Sequence, residues 1–139
     1  MRVTPYLTFS GNAQEAMDLY TEAFKTEVMQ VMRYKDVPPN PDFPIPDGYG
    51  DKVIQAMLKM GEDFFIRMCD CGPGHDLKDN PTEMISIAIE EVTAEEVTHI
   101  FNTLAREGKV GMPLEKTFYS SLAGVVYDKF GVMWNLVAK

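Results

Sequence analysis

Twice in this chain a capped helix with an apolar stripe follows one strand and precedes three, and no other feature restricts the fold as much. Asn12 and Glu15 have the spacing of a capping box, and Ala13, Ala16, Met17, Tyr20, Ala23 and Phe24 then recur as a buried helical stripe does. Thr93 and Glu96 repeat the box, with Val97, Ile100, Phe101 and Leu104 as the stripe and Gly108 as the expected C-terminal cap. Strands are expected at Val3–Phe9, Val28–Tyr34, Val53–Met60 and Phe64–Cys69, then at Met84–Glu90, Lys109–Met112, Val125–Asp128 and Val132–Val137. Gly61 and Gly131 mark the turn before the last strand of each half. The pattern predicts one α+β domain over residues 1–139. It is built from two βαβββ modules, about 1–70 and 83–139, joined by the loop 70–82, with mainly antiparallel curved sheets and outer helices.

From cap to hairpin glycine, Asn12 to Gly61 is 11 residues longer than Thr93 to Gly131. The excess falls in Lys35–Asp51, which holds five of the nine prolines (Pro38, Pro39, Pro41, Pro44 and Pro46) and so excludes a helix or central strand. An irregular insertion of this length reads as a lid, a contact arm or a mobile loop.

Charge narrows the partners. Thirteen Lys+Arg against 21 Asp+Glu give a net charge of −8 with no basic cluster, which argues against nucleic acid and anionic membranes. No apolar run is long enough to span a bilayer. Two cysteines, Cys69 and Cys71, do not make a secreted scaffold, so a cytoplasmic protein is expected.

Alternation along the strands sends successive side chains to opposite faces. Leu7 and Phe9, Ile54, Ala56 and Leu58, Ile85, Ile87 and Ile89, and Trp134 and Leu136 form the aliphatic set that receives the helices. The other face carries Thr4, Tyr6, Thr8, Gln55, Met57, Met84, Ser86, Asn135 and, from the fourth strand, Arg67. That face is too polar for helix packing and too uncharged for ordinary solvent. It suits either a cup for a small, partly apolar ligand or, more plainly, a half-solvated sheet or a dimer contact.

Three stretches, PYLTFSGNAQEAMDLY at Pro5–Tyr20, GKVGMPLEKTFY at Gly108–Tyr119 and DKFGVMWNL at Asp128–Leu136, resemble the PhnB-like branch of the vicinal oxygen chelate superfamily. This superfamily includes glyoxalases, bleomycin-resistance proteins and extradiol dioxygenases. The resemblance implies paired βαβββ modules, frequent homodimers and a divalent metal held by His or Glu from the first, fourth, fifth and eighth strands. Those positions fall near Thr4 and Arg67 and at Met84 and Asn135, none of them a carboxylate or imidazole. Gln55 stands where the branch often has His, and Tyr119 where it commonly has Trp. Some relatives carry a demethylubiquinone methyltransferase label, but no glycine-rich strand-to-helix turn for a nucleoside cofactor is present.

The remaining chemistry is sparse. Cys69, Cys71 and His75, with Asp70 or Asp76, are the nearest approach to a metal-ligand cluster, though a strand thiol beside a loop thiol is the simpler reading. His99 falls on the polar side of its helix, and Asp42, Asp47 and Asp51 read as solubilising. Methionines including Met57, Met60, Met68, Met84 and Met133 would give an adaptable lining. The expected function is binding of a small molecule, without a cofactor or the family metal, by Tyr6, Gln55, Met57, Arg67, Met84, Tyr119 and Asn135. The alternative is a metal-dependent lyase, isomerase or dioxygenase with an atypical site. A homodimer is expected, and neither nucleic acid nor membrane as partner.

Overall fold

A computed structural model describes residues 4–74 and 86–139. The two apolar stripes become helices α1 (Ala13–Phe24) and α2 (Ala94–Leu104), and eight strands follow the duplicated order. The first half contributes β1 (Tyr6–Phe9), β2 (Glu27–Arg33), β3 (Val53–Lys59) and β4 (Phe65–Asp70). The second contributes β5 (Ile87–Val92), β6 (Lys109–Glu115), β7 (Ala123–Tyr127) and β8 (Met133–Ala138). The chain divides into two compact units, Met1–Lys78 and Asp79–Lys139.

In the first unit the strands lie in the order β1-β4-β3-β2. Helix α1 packs on β2, β3 and β4. The strand pairing is antiparallel except for β1 with β4. Met17 and Tyr20 of α1, with Ala56 and Leu58 of β3 and Ile66 and Met68 of β4, form the core. Each large side chain among them contributes roughly 1.5–3 kcal/mol of transfer free energy. In the second unit the order is β5-β8-β7-β6, again with one parallel pair, β5 with β8. Helix α2 packs on β7 and β8 over Val126, Trp134 and Leu136. Gly124 permits the close approach there, since an added Cβ would stand 3.1 Å from the Phe101 ring and 2.9 Å from Leu114. β6 is an edge strand, which is where Pro113 can sit without costing a ladder hydrogen bond.

Several expectations need correction. Asn12 makes no side-chain cap; the Asp70 carboxylate, far along the chain, accepts the Ala13 amide instead. Thr93 and Glu96 do form the reciprocal capping box. Helix α2 ends at Leu104 with Ala105 as its C-cap, and Gly108 is required by contact rather than by capping, because a Cβ there would meet the Tyr127 carbonyl at 2.3 Å. Met68 is fully buried in the core and lines no open face. Val53, at the start of β3, is also buried. Strand β5 runs on to Val92, so Glu90 and Glu91 lie within it, where the pairing with β8 is irregular and Glu91 takes a φ of 61°. Met84, Ile85, His75 and Asp76 lie outside the described residues.

Candidate functional site

The register of the first sheet assembles the open face row by row. Tyr6 of β1 pairs with Arg67 of β4, and Arg67 with Met57 of β3. Thr8 pairs with Cys69, and Gln55 with Met32. Tyr6, Gln55, Met57 and Arg67 therefore share one face, opposite the face that packs on α1. Gln55, Met57 and Cys69 are half-buried, while Tyr6 and Arg67 are exposed. The Cys69 thiol donates to the Thr8 hydroxyl at 3.7 Å.

The proline-rich insertion closes one end of this face. Its two arms are tied by backbone bonds, Tyr34 N–H to the Lys52 carbonyl at 3.0 Å and Lys35 N–H to the Gly50 carbonyl at 2.9 Å. Outside them lies a Lys35–Asp51 ion pair of 2.6 Å, which holds the Asp51 carboxyl below its ordinary range. This folding-back brings Tyr34 and Tyr49 edge to face at 5.0 Å. The Tyr34 hydroxyl donates to the Asp70 carbonyl at 3.3 Å, and the Tyr49 hydroxyl donates to the Cys71 carbonyl. Tyr34 and Tyr49 meet at the end of this face, and composition and motif reading pass them over. The available signal was a pair of aromatics flanking a proline run next to a strand end.

Burial, followed by the neighbouring Cys71, Tyr34 and Asp70, pushes the Tyr49 phenol up to about 12 from 10.0. Burial also raises Tyr34, and burial followed by a hydrogen bond with Cys69 raises Tyr6. The folded chain thus holds these phenol protons more tightly than the unfolded chain does. The contribution of the Tyr49 phenol to stability is fully present below pH 10 and is lost as pH rises from there to about 12. Ultraviolet titration of the phenolates should show a late-ionising group that Tyr49→Phe abolishes; an unchanged late step would exclude Tyr49 as its source.

In the second unit, Ala88, Asn135 and Val125 lie in one row of the open face, with Tyr127 and Met133 in the next. Tyr119 sits on the β6–β7 loop, exposed, with its ring edge-on to Phe118 at 5.0 Å. Phe118, not singled out by the sequence, is 100% exposed.

The family's divalent metal does not fit these residues. Arg67 presents a cation on the first open face, and Asn135 has only Ala88 and Val125 as cross-strand neighbours. Both Asp70 oxygens are engaged, by the Ala13 amide at 2.9 Å and the Val53 amide at 2.8 Å, which removes Asp70 as a ligand. Among the described residues no three His, Cys, Asp or Glu side chains are grouped to hold a metal. A separate open hollow, lined by Phe24, Lys25, Glu27, Lys59 and Met60, lies at the opposite end of β3. No helix among the described residues is long and apolar enough to cross a membrane.

Comparison with known proteins agrees with this architecture. Protein PA1353 from Pseudomonas aeruginosa is 29% identical, with a TM-score of 0.84 over 100% of this chain and 98% of that one. A PhnB protein from Bacillus cereus is also 29% identical, with a TM-score of 0.79 over 100% of both chains. Protein YjdN of Escherichia coli strain K12 is 28% identical over 98% of this chain and 94% of its own length. At 12% identity and a TM-score of 0.67, a glyoxylase/bleomycin resistance protein/dioxygenase domain from Frankia shares the fold alone, over 99% of this chain and 96% of that one. Residues 1–137 match the family model described as 3-demethylubiquinone-9 3-methyltransferase. The chain belongs to that family, a PhnB-like branch of the glyoxalase/bleomycin resistance fold.

Proposed function

We propose that this protein binds a small, partly apolar molecule carrying an anionic group, and does so without catalytic turnover. The observation that carries the reading is the open face of the first sheet, where Arg67 stands between Tyr6 and Met57 while Lys59 is paired with Glu27 at the far end of β3. A guanidinium in such surroundings favours a carboxylate or phosphonate and can bind it bidentately. Gln55, half-buried on the same face, offers both an amide donor and an acceptor to orient the ligand. Asn135 offers the same on the open face of the second sheet, with the Tyr119 ring as a stacking surface on its loop. The methyltransferase activity in the family's description has no support here, since no phosphate-cradling glycine turn precedes either helix.

We also infer a cytoplasmic homodimer. Reduced Cys69 and Cys71 favour that compartment, and exposed Phe43 and Ile45 on the proline arm give an apolar contact surface.

Calorimetric titration with a panel of aryl and alkyl carboxylates and phosphonates tests the function. Saturable binding is expected, weakened about tenfold by Arg67→Ala and several-fold by Gln55→Ala, as loss of one charge-assisted and one neutral hydrogen bond implies. Binding indifferent to Arg67→Ala would sink the assignment of that face. Stoichiometric Ni, Fe, Mn or Zn in protein purified without chelator would instead favour a metal-dependent lyase, isomerase or dioxygenase.

A further inference from the structure

We infer that Cys69 and Cys71 form a two-coordinate site for a soft monovalent cation, copper(I) in chemical class. Alternation along the chain puts both side chains on one side of the strand. Between them Asp70 turns into the core, where its carboxylate holds the Ala13 and Val53 amides. The β1–β4 ladder continues past the last strand residue, with the Cys71 amide donating to the Phe9 carbonyl at 2.7 Å. Alternation then returns Cys71 to the side occupied by Cys69.

The spacing distinguishes between the possible uses of two thiols. Neither cysteine is in a disulfide. Residues two apart on a strand have Cβ atoms separated by roughly 6.6 Å, twice the rise per residue. A direct S–S bond needs about 3.5–4.5 Å between Cβ atoms, so the extended ladder opposes it. A cation bridging two thiolates at about 2.3 Å each needs sulfurs only about 4.6 Å apart, which two side chains leaning together reach. Zinc asks for four ligands, and the two thiols supply half of that set. Thiolate pairs without carboxylate or imidazole select the softest ions.

The surroundings suit the product. Binding releases a proton from each thiol, so copper(I) with two thiolates carries one net negative charge. Arg67, two residues back on the same face, offsets that charge. The site does not depend on the small-molecule reading, and copper(I) alone tests it.

The experiment is an anaerobic titration of the full chain with copper(I) against a chromophoric copper(I) chelator. One equivalent should be withheld from the chelator, with affinity at least tenfold weaker in both Cys69→Ser and Cys71→Ser. X-ray absorption of the loaded protein should find two sulfur neighbours. Bound copper(I) should also protect both thiols of the unaltered protein from alkylation, a readout that requires no variant to fold. Failure to withhold copper, unprotected thiols, or nitrogen and oxygen neighbours in place of two sulfurs would each overturn the assignment.

Discussion

Replacing Asp70 with Ala should lower the stability of the first unit by about 3 kcal/mol, shifting its melting temperature by roughly 10 °C. Asp70 is 3% exposed, and each oxygen accepts one backbone amide, from the first residue of α1 and the first residue of β3. One carboxylate thus satisfies a helix start and fixes the point where the proline arm rejoins the sheet. Truncation leaves both amides without their acceptor in a site closed to water, at roughly 1–3 kcal/mol for each unsatisfied group. Asp70→Asn retains the shape but only one acceptor oxygen, so one amide would face an NH2 group and much of the loss should remain. Hydrogen exchange at the Ala13 and Val53 amides reads the effect locally; protection as strong as in the unaltered protein would contradict this account. Asp42→Ala, on the exposed arm, should change stability by less than about 0.5 kcal/mol.

The same residue shows what was legible in the chain. Helix α2 could be read to its first residue, because Thr93 and Glu96 satisfy its N-terminus from within four residues. Helix α1 offered the same local signal in Asn12 and Glu15, yet its N-terminus is satisfied from β4, and no local pattern reports that acceptor. The open faces followed from alternation, which placed Tyr6, Gln55, Met57 and Arg67 together before their register was known. Met68 was misread for a related reason. A thioether suits a lining or a core equally, and only the packing of α1 on β4 decides between them. Cys69 and Cys71 stood out at once, but the tyrosines beside them did not. Tyr34 and Tyr49 meet only because the arm folds back through backbone bonds that no side-chain pattern encodes.

A larger loss, about 4 kcal/mol, is expected for Asp128→Ala in the second unit. Its carboxylate, 3% exposed, accepts the Phe130 amide at 2.9 Å and the Val132 amide at 3.0 Å on one oxygen. The other oxygen accepts the Trp134 indole N–H at 2.9 Å. Trp134 is fully buried, so the indole loses its water in folding and has this carboxylate as its acceptor. The turn from β7 to β8 relies on the same group: Gly131 enters it at a φ of 87°, and the Phe130 and Val132 amides flank it. Asp128→Ala therefore loosens the turn and leaves three donors unmatched. Trp134→Phe removes one donor and some packing volume, at about 2 kcal/mol. Because the two residues share a hydrogen bond, the double variant should fall short of the sum of the singles by about 1 kcal/mol. Trp134 is the only tryptophan in the chain, so its fluorescence follows the second unit through denaturation without interference from the first. An Asp128→Ala midpoint within 1 kcal/mol of the unaltered protein, with unchanged emission, would show that the turn holds without its carboxylate.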